Sequence, residues 1–303
     1  MSDIADGHIK SKGRAYWDDL VAGTTSQYKE AVIEQLVREH FPRGAEAIID
    51  IGCGTCDTAL KYKRLLGARR VTCTDYDEKT VGEMRRSLAG EEVDWRVADI
   101  FALGDLGATY DLVFLMDMLH EVYSFYGRPT REPESPVDHT LGLQHVDRAL
   151  NELAAIVRPG GGMVITDDVL CDEAVDVTVR MRRPEVVQAV KYFLENYPTR
   201  RMPVRFESPD VIAMQSRDLN ILLTQYNKIK AENWERWKIE RLEIHEYMSP
   251  SEFRGVFDAL GFDVHMVVGT PRDAWQEWNA DFEMLSGLRA LPEKRITLLA
   301  IKR

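Results

Sequence analysis

The stretch Ile48-Ile49-Asp50-Ile51-Gly52-Cys53-Gly54-Thr55-Cys56-Asp57 joins a carboxylate to two glycines directly behind an apolar run. Glycines placed there let the backbone turn sharply and approach a ligand closely. In a dinucleotide turn of the form GxGxxG the third glycine would stand at 57, near the helix start that receives pyrophosphate. That position is Asp57, and its charge would repel a phosphate. The turn therefore suits a ligand that lacks phosphates or carries positive charge. Two more acids end later apolar runs: Asp75, 25 residues beyond Asp50, and Asp99 in Val97-Ala98-Asp99-Ile100. A carboxylate at Asp75 can accept both hydroxyls of a ribose. Taken singly, each acid could equally cap a helix or lie in a solvated loop. A fourth stretch, Leu115-Met116-Asp117-Met118-Leu119-His120-Glu121-Val122-Tyr123, offers proton chemistry. His120 is the first candidate base, because an unperturbed imidazole titrates near pH 6.5. Glu121 can orient that ring or act as the base itself. Adjacent helical residues point about 100° apart, so the pair need not serve one proton. The plainer alternative packs His120 under the ligand and uses Glu121 as a cap.

These residues fall at the ends of alternating strands and helices. Two helices, over 8–24 and 26–40, precede the alternation. Strands follow at Ala47–Ile51, Arg70–Thr74, Val93–Ala98, Asp111–Met116 and Met163–Thr166, with helices near 58–66, 78–88 and 142–157 between them. Such a βαβα rhythm demands a parallel sheet covered on both faces. From 172 to 248 the rhythm stops, and the apolar spacing predicts helices around 184–197, 209–230 and 231–241. Ser249-Pro250-Ser251-Glu252 then reads as a capping box with proline at the first helical position. Its helix runs to Leu260, and Phe262–Val268 and Ile296–Ile301 complete the strands. The expected fold is α/β: a seven-stranded, mostly parallel, doubly wound sheet with an antiparallel last strand. N-terminal helices (1–45) form a lid on a core of 46–171 and 249–303, and a helical insertion (172–248) follows the fifth strand as a substrate cap or dimer interface.

Asp50, Gly52 and Gly54 in this setting resemble the first motif of the class I, Rossmann-like methyltransferases, [D/E]-x-G-x-G-x-G, with Cys56 in place of the third glycine. Val157-Arg158-Pro159-Gly160-Gly161-Gly162 resembles a later motif of the same family. The resemblance implies S-adenosylmethionine as cofactor, a sulfonium attached to adenosine. It implies that Asp50, Gly52, Cys53 and Gly54 shape its turn and that Asp75 takes the ribose. Asp99 would receive the adenine amino group, Ile100 or Tyr76 would pack on the ring, and Asp117 would stand beside the cofactor. The implied activity is methyl transfer to a small molecule, an oxygen acceptor before nitrogen or carbon. A protein or peptide methyltransferase, or a cofactor-binding protein that has lost transfer chemistry, are the other readings.

Composition narrows the partners. A net charge of −11 argues against a nucleic-acid binder, which needs a basic footprint. No apolar run approaches a membrane span or a secretory signal, so a cytoplasmic protein is expected. Cys53 and Cys56 form a CxxC, but neither a second CxxC nor a His pair accompanies it, so no metal is expected there. Thr166-Asp167-Asp168 resembles the metal-binding pair of catechol-type O-methyltransferases, yet the acid those enzymes take at the end of the fourth strand falls one residue late, at Asp117. Magnesium dependence is therefore not expected either. Between 180 and 205 seven basic residues face two acids. Arg200 and Arg201 there, with Tyr123, are candidates to bind an anionic acceptor; a solvated helix face is the bland reading. The loop 124–139 and the aromatic pair Tyr16 and Trp17 are candidate covers for the reacting end, and a homodimer through the insertion is a further expectation.

Overall fold

Ala47–Ile51 (β1) is buried at every position, as a strand covered on two faces must be. In this computed structural model, which describes residues 24–130, 132–229 and 234–303, β1 lies in a seven-stranded sheet of order β3-β2-β1-β4-β5-β11-β9. Its members are β2 (Arg70–Asp75), β3 (Asp94–Val97), β4 (Tyr110–Met116), β5 (Val157–Asp168), β9 (Phe262–Gly269) and β11 (Arg295–Lys302). β1 pairs in parallel with β2 and β4, and β4 with β5. β11 runs antiparallel to both β5 and β9. Side chains alternate between two cores. Ile49, Ile51, Val113 and Leu115 face one side, where they meet Val146, Leu150 and Leu153. Ile48, Leu112 and Phe114 face the other, against Val32, Val37, Ala59 and Tyr62.

The helices that cover these faces follow from local signals. α1 (Thr24–His40), α2 (Asp57–Leu66) and α3 (Glu78–Ser87) belong to the first half of the sheet. Asp77 caps α3 by accepting from the backbone N–H groups of Lys79 and Thr80. α4 (Leu119–Tyr126) follows β4, and α5 (His139–Ile156) begins under an Asp138 cap. The expected helix over 8–24, with Tyr16 and Trp17, lies outside the described residues.

The segment after β5 departs from a purely helical insertion. It carries β6 (Asp176–Met181), β7 (Arg205–Ser208) and β8 (Val211–Gln215), besides α6 (Pro184–Asn196), α7 (Ser216–Tyr226) and α8 (Trp234–Glu240). With β10 (Phe282–Ser286) the three strands form an antiparallel sheet of order β10-β6-β8-β7. Val211-Ile212-Ala213-Met214 runs on into the apolar face of α7, so a strand and a helix read there as one helical stretch over 209–230; a short apolar run does not reveal its period. The strand β10 and the preceding α10 (Arg272–Asp281) lie within the segment assigned to the core, yet β10 pairs with β6 of the insertion. Partners so far apart in the chain leave no local signal. Among the described residues no helix is long and apolar enough to cross a membrane.

The capping box at α9 (Pro250–Ala259) is formed from both sides: Ser249 Oγ accepts from the Glu252 N–H, and the Glu252 carboxylate accepts from the Ser249 N–H. Ser249→Ala should lower stability by about 1 kcal/mol, read as a lower denaturant midpoint with an unchanged slope.

Candidate active site

The glycine turn after β1 takes left-handed backbone at Gly52 (φ +67°) and Gly54 (φ +48°). A Cβ on Gly52 would collide with the Met118 sulfur, whereas one on Gly54 would meet no atom of the described residues within 4 Å. Gly54 therefore borders open space that any side chain would occupy. Cys56, which replaces the third glycine of the motif, also has φ +61°. The position wants glycine for a backbone reason, and cysteine fills it at a cost of about 1–2 kcal/mol. Cys53, Cys56 and Cys73 are buried behind the turn, with their sulfurs within 4.8 Å of one another.

The acids after the strands fall into two environments. Asp50 is buried and accepts from the Ala59 N–H at 3.3 Å; burial and the neighbouring Cys53 raise its carboxyl well above the usual range. Asp75 ends β2 and accepts from the Asp77 N–H at 3.0 Å. Burial pushes its carboxyl up to about 7, and the charge of Glu121 adds to that. Glu121 lies in the first turn of α4. Tyr76 is half-buried beside Asp75 in the chain, and Ile100 is buried. Asp99 accepts from the Phe101 N–H at 3.0 Å and caps the 3-10 turn Ile100–Leu106.

Asp117 lies elsewhere. It has φ +51°, a conformation aspartate tolerates better than most residues, and its carboxylate pairs with Lys29 from α1 and with Arg295. Although burial opposes ionisation, Arg295 and Lys29 hold the carboxyl well below its usual range. Arg295 also donates to Asp168 at 2.6 Å, and Lys294 stands 3.5 Å from the same carboxylate. The antiparallel register that sets Arg295 opposite Asp168 makes this possible. With two cations on Asp168, the Asp167-Asp168 pair is not arranged as an oxygen cradle for magnesium.

His120 turns away from Glu121 into this buried region. Its Nδ1 is 2.7 Å from Asp167 Oδ1, and its Nε2 is 3.5 Å from Glu243 Oε2. Burial would lower the imidazole, but Asp167 and Glu243 outweigh it and raise it well above its usual value. The ring is oriented by Asp167, not by Glu121. Tyr247 donates to the other oxygen of Asp167 at 3.2 Å, and the ring of Tyr123 stacks on Tyr247 with centroids 5.2 Å apart. Tyr123 is itself buried, with its hydroxyl 2.9 Å from His139 Nδ1. Of the two arginines, Arg200 pairs with Asp218 at 2.8 Å and its field reaches Tyr123, while Arg201 is exposed.

The structure therefore brings Asp50, Gly52, Gly54, Asp75 and Glu121 to one end of the sheet and directs Asp117 and His120 into a charged interior beside it. The residues of that interior that sequence reasoning missed are Lys29, Lys228, Glu240, Glu243, His245, Tyr247, Lys294 and Arg295. One signal was present: Glu243, His245 and Glu246 are interspersed with apolar Leu242, Ile244, Tyr247 and Met248 immediately before the capping box, and every residue from 243 to 248 is buried.

Residues 48–126 match the family model described as a methyltransferase domain. Among solved structures, the CurJ carbon methyltransferase is 11% identical, with a TM-score of 0.52 over 99% of this chain and 61% of its own. An O-methyltransferase family protein from Burkholderia thailandensis is 15% identical at a TM-score of 0.48 over 96% of this chain and 59% of its own, so this chain spans under two thirds of that protein. Magnesium protoporphyrin IX methyltransferase from Synechocystis PCC 6803, with bound SAH, is 14% identical at a TM-score of 0.48 over 99% of this chain and 100% of its own. The first of these three supports the fold of the sheet and nothing finer.

Replacing Arg295 with Met would leave the buried carboxylate of Asp168 and the half-buried one of Asp117 short of a partner. The expected loss is about 3–5 kcal/mol of stability, measured by denaturant unfolding, and Arg295→Lys should recover part of it.

Proposed function

We propose that this chain, which carries a class I S-adenosylmethionine-dependent methyltransferase domain, transfers a methyl group to an oxygen of a small-molecule acceptor. The observation that carries the reading is the placement of the glycine turn and Asp75 after adjacent parallel strands, where open α/β sheets bind ligands. The residues fit the cofactor. Gly54 borders space a side chain would fill, and Asp75 is a desolvated carboxylate whose ionised form gains from two donated hydroxyl hydrogen bonds. Asp99 and Ile100 follow β3 and Tyr76 follows β2, at the same end of the sheet as the turn. When bound, the cofactor supplies a methyl group on a sulfonium, already an excellent leaving group.

What remains for the protein is to hold the acceptor in line and take up its proton. Glu121 suits that role better than His120. It opens α4 after β4 with its charge reaching Asp75, whereas both ring nitrogens of His120 already face carboxylates, Nδ1 at 2.7 Å from Asp167 and Nε2 at 3.5 Å from Glu243. His120 and Asp117 then serve as part of the buried wall of the site. Burial of His120, Tyr123, Asp167 and Tyr247 beneath the insertion favours an enclosed small acceptor over a peptide in an open groove. Arg200, beside Tyr123, would favour an anionic group on that acceptor, with Arg201 outside it.

Calorimetry with S-adenosylmethionine and its demethylated product tests the premise: saturable binding of both is expected, and binding of neither removes the reading. Asp75→Asn should weaken binding about 10–100-fold, as charge-assisted hydrogen bonds are worth about 1.5–3 kcal/mol.

The Asp75 carboxyl titrates near 7 in the free protein, and the ligand favours its ionised form. Affinity should therefore hold above pH 7 and fall about tenfold per unit below it, a dependence that Asp75→Asn removes. Glu121→Gln should lower kcat about 10²–10⁴-fold while cofactor affinity changes little; unchanged turnover on an identified acceptor would exclude Glu121 as the base.

A further inference from the structure

The charged interior holds a second arrangement that methyl transfer does not use. One ring nitrogen each of His120 and His245 and a carboxylate oxygen of Glu243 lie within 4.8 Å of one another, all on buried residues. Glu243 Oε2 is 3.5 Å from His120 Nε2 and 3.2 Å from His245 Nε2, and the two imidazole centroids are 4.4 Å apart. Metal bonds of about 2.0–2.1 Å meeting at a tetrahedral angle would separate ligand atoms by about 3.3 Å. We propose that His120, Glu243 and His245 bind a divalent first-row transition metal, with zinc as the reference ion.

The outer face of each ring is already arranged for that role. A metal-bound histidine almost always gives its other N–H to a carboxylate or a carbonyl, which fixes the tautomer and aims the free nitrogen at the ion. His120 Nδ1 has Asp167 Oδ1 at 2.7 Å. His245 Nδ1 has the Gln225 amide at 2.9 Å, and Gln225 Oε1 is buried with no hydrogen-bond partner among the described residues. Turning that amide over places Oε1 against Nδ1–H and leaves Nε2 as the donor nitrogen. Both rings thus present Nε2 to Glu243.

Charge points the same way. Asp167, Glu240 and Glu243 are buried around the two rings. Glu240 Oε2 lies 3.0 Å from His245 Nε2, and Lys228 and Arg236 pair with the same carboxylate at 2.7 and 3.3 Å. A dication held by the two rings and Glu243 would stand among these buried carboxylates, which favour positive charge. Two nitrogens and one oxygen suit zinc or iron(II) rather than magnesium or calcium, which prefer all-oxygen sites. Lys228 Nζ also lies 3.4 Å from His245 Nε2; if it donates to that nitrogen instead, no dication binds. The proposal does not depend on the methyltransferase reading, because its readout is metal binding alone.

The test is calorimetric titration of the chelator-stripped full chain with Zn²⁺, paired with Co²⁺ as a spectroscopic probe. One equivalent of Zn²⁺ should bind and displace Co²⁺, whose visible spectrum should lack a thiolate charge-transfer band. His245→Ala should abolish that equivalent, and Asp167→Asn should weaken it about 10–100-fold, with circular dichroism checking that each variant is folded. For a variant that does not fold, the wild-type protein still decides, since Zn²⁺ should raise its Tm. Failure of the folded wild-type chain to bind one equivalent overturns the proposal. So does a cobalt spectrum with a thiolate band that is lost in Cys73→Ser and kept in His245→Ala, which would assign the ion to the cysteine cluster.

Discussion

Three carboxylates leave the ends of β4 and β5, Asp167 and Asp168 buried and Asp117 partly exposed, and the rest of this architecture answers them. Asp117 and Asp168 are held ionised by the cations beside them. Arg295 and Lys294 come from the head of the last strand, Lys29 from the first described helix, and His120 from the start of α4. These contacts tie α1, β4, β5 and β11 together at the sheet end where ligands bind. Removing one member leaves a buried charge, so the elements are bound to one another more firmly than their apolar contacts alone require.

The same constraint divides the site in two. One turn of helix carries Glu121, whose charge reaches Asp75, and sends His120 toward Asp167 and Glu243. On the first side burial raises the Asp75 carboxyl. On the second side cations and imidazoles abound, and the carboxylates Asp117 and Asp168 are held ionised. The glycine-turn end of the sheet and the charge-rich interior therefore meet at the first turn of α4.

Much of the first side was legible in the chain. The order of strands, the glycine turn and the acids at 50, 75 and 99 are local features, each fixed by residues a few positions apart. The departure at Cys56 was legible too, but its meaning was not. Only the backbone angle of +61° shows that this position carries the strain a glycine would avoid. His120 stood out from its type alone, yet the direction of its ring depends on Asp167 and Glu243, 47 and 123 residues further on.

The second sheet shows the same limit from another direction. β6, β8 and β7 gain their register from one another and from β10, a strand beyond the capping box, so no window of sequence contains the partners that make Val211–Gln215 a strand. The sequence by itself determined the alternation of elements, the parallel core and the phosphate-averse turn, because backbone propensity and side-chain period act over a few residues. The tertiary structure alone decided which buried charges meet, since pairing between Asp117, Asp168 and Arg295, or among His120, Glu243 and His245, depends on strand register and chain crossings, and electrostatic attraction follows distance in space rather than along the chain.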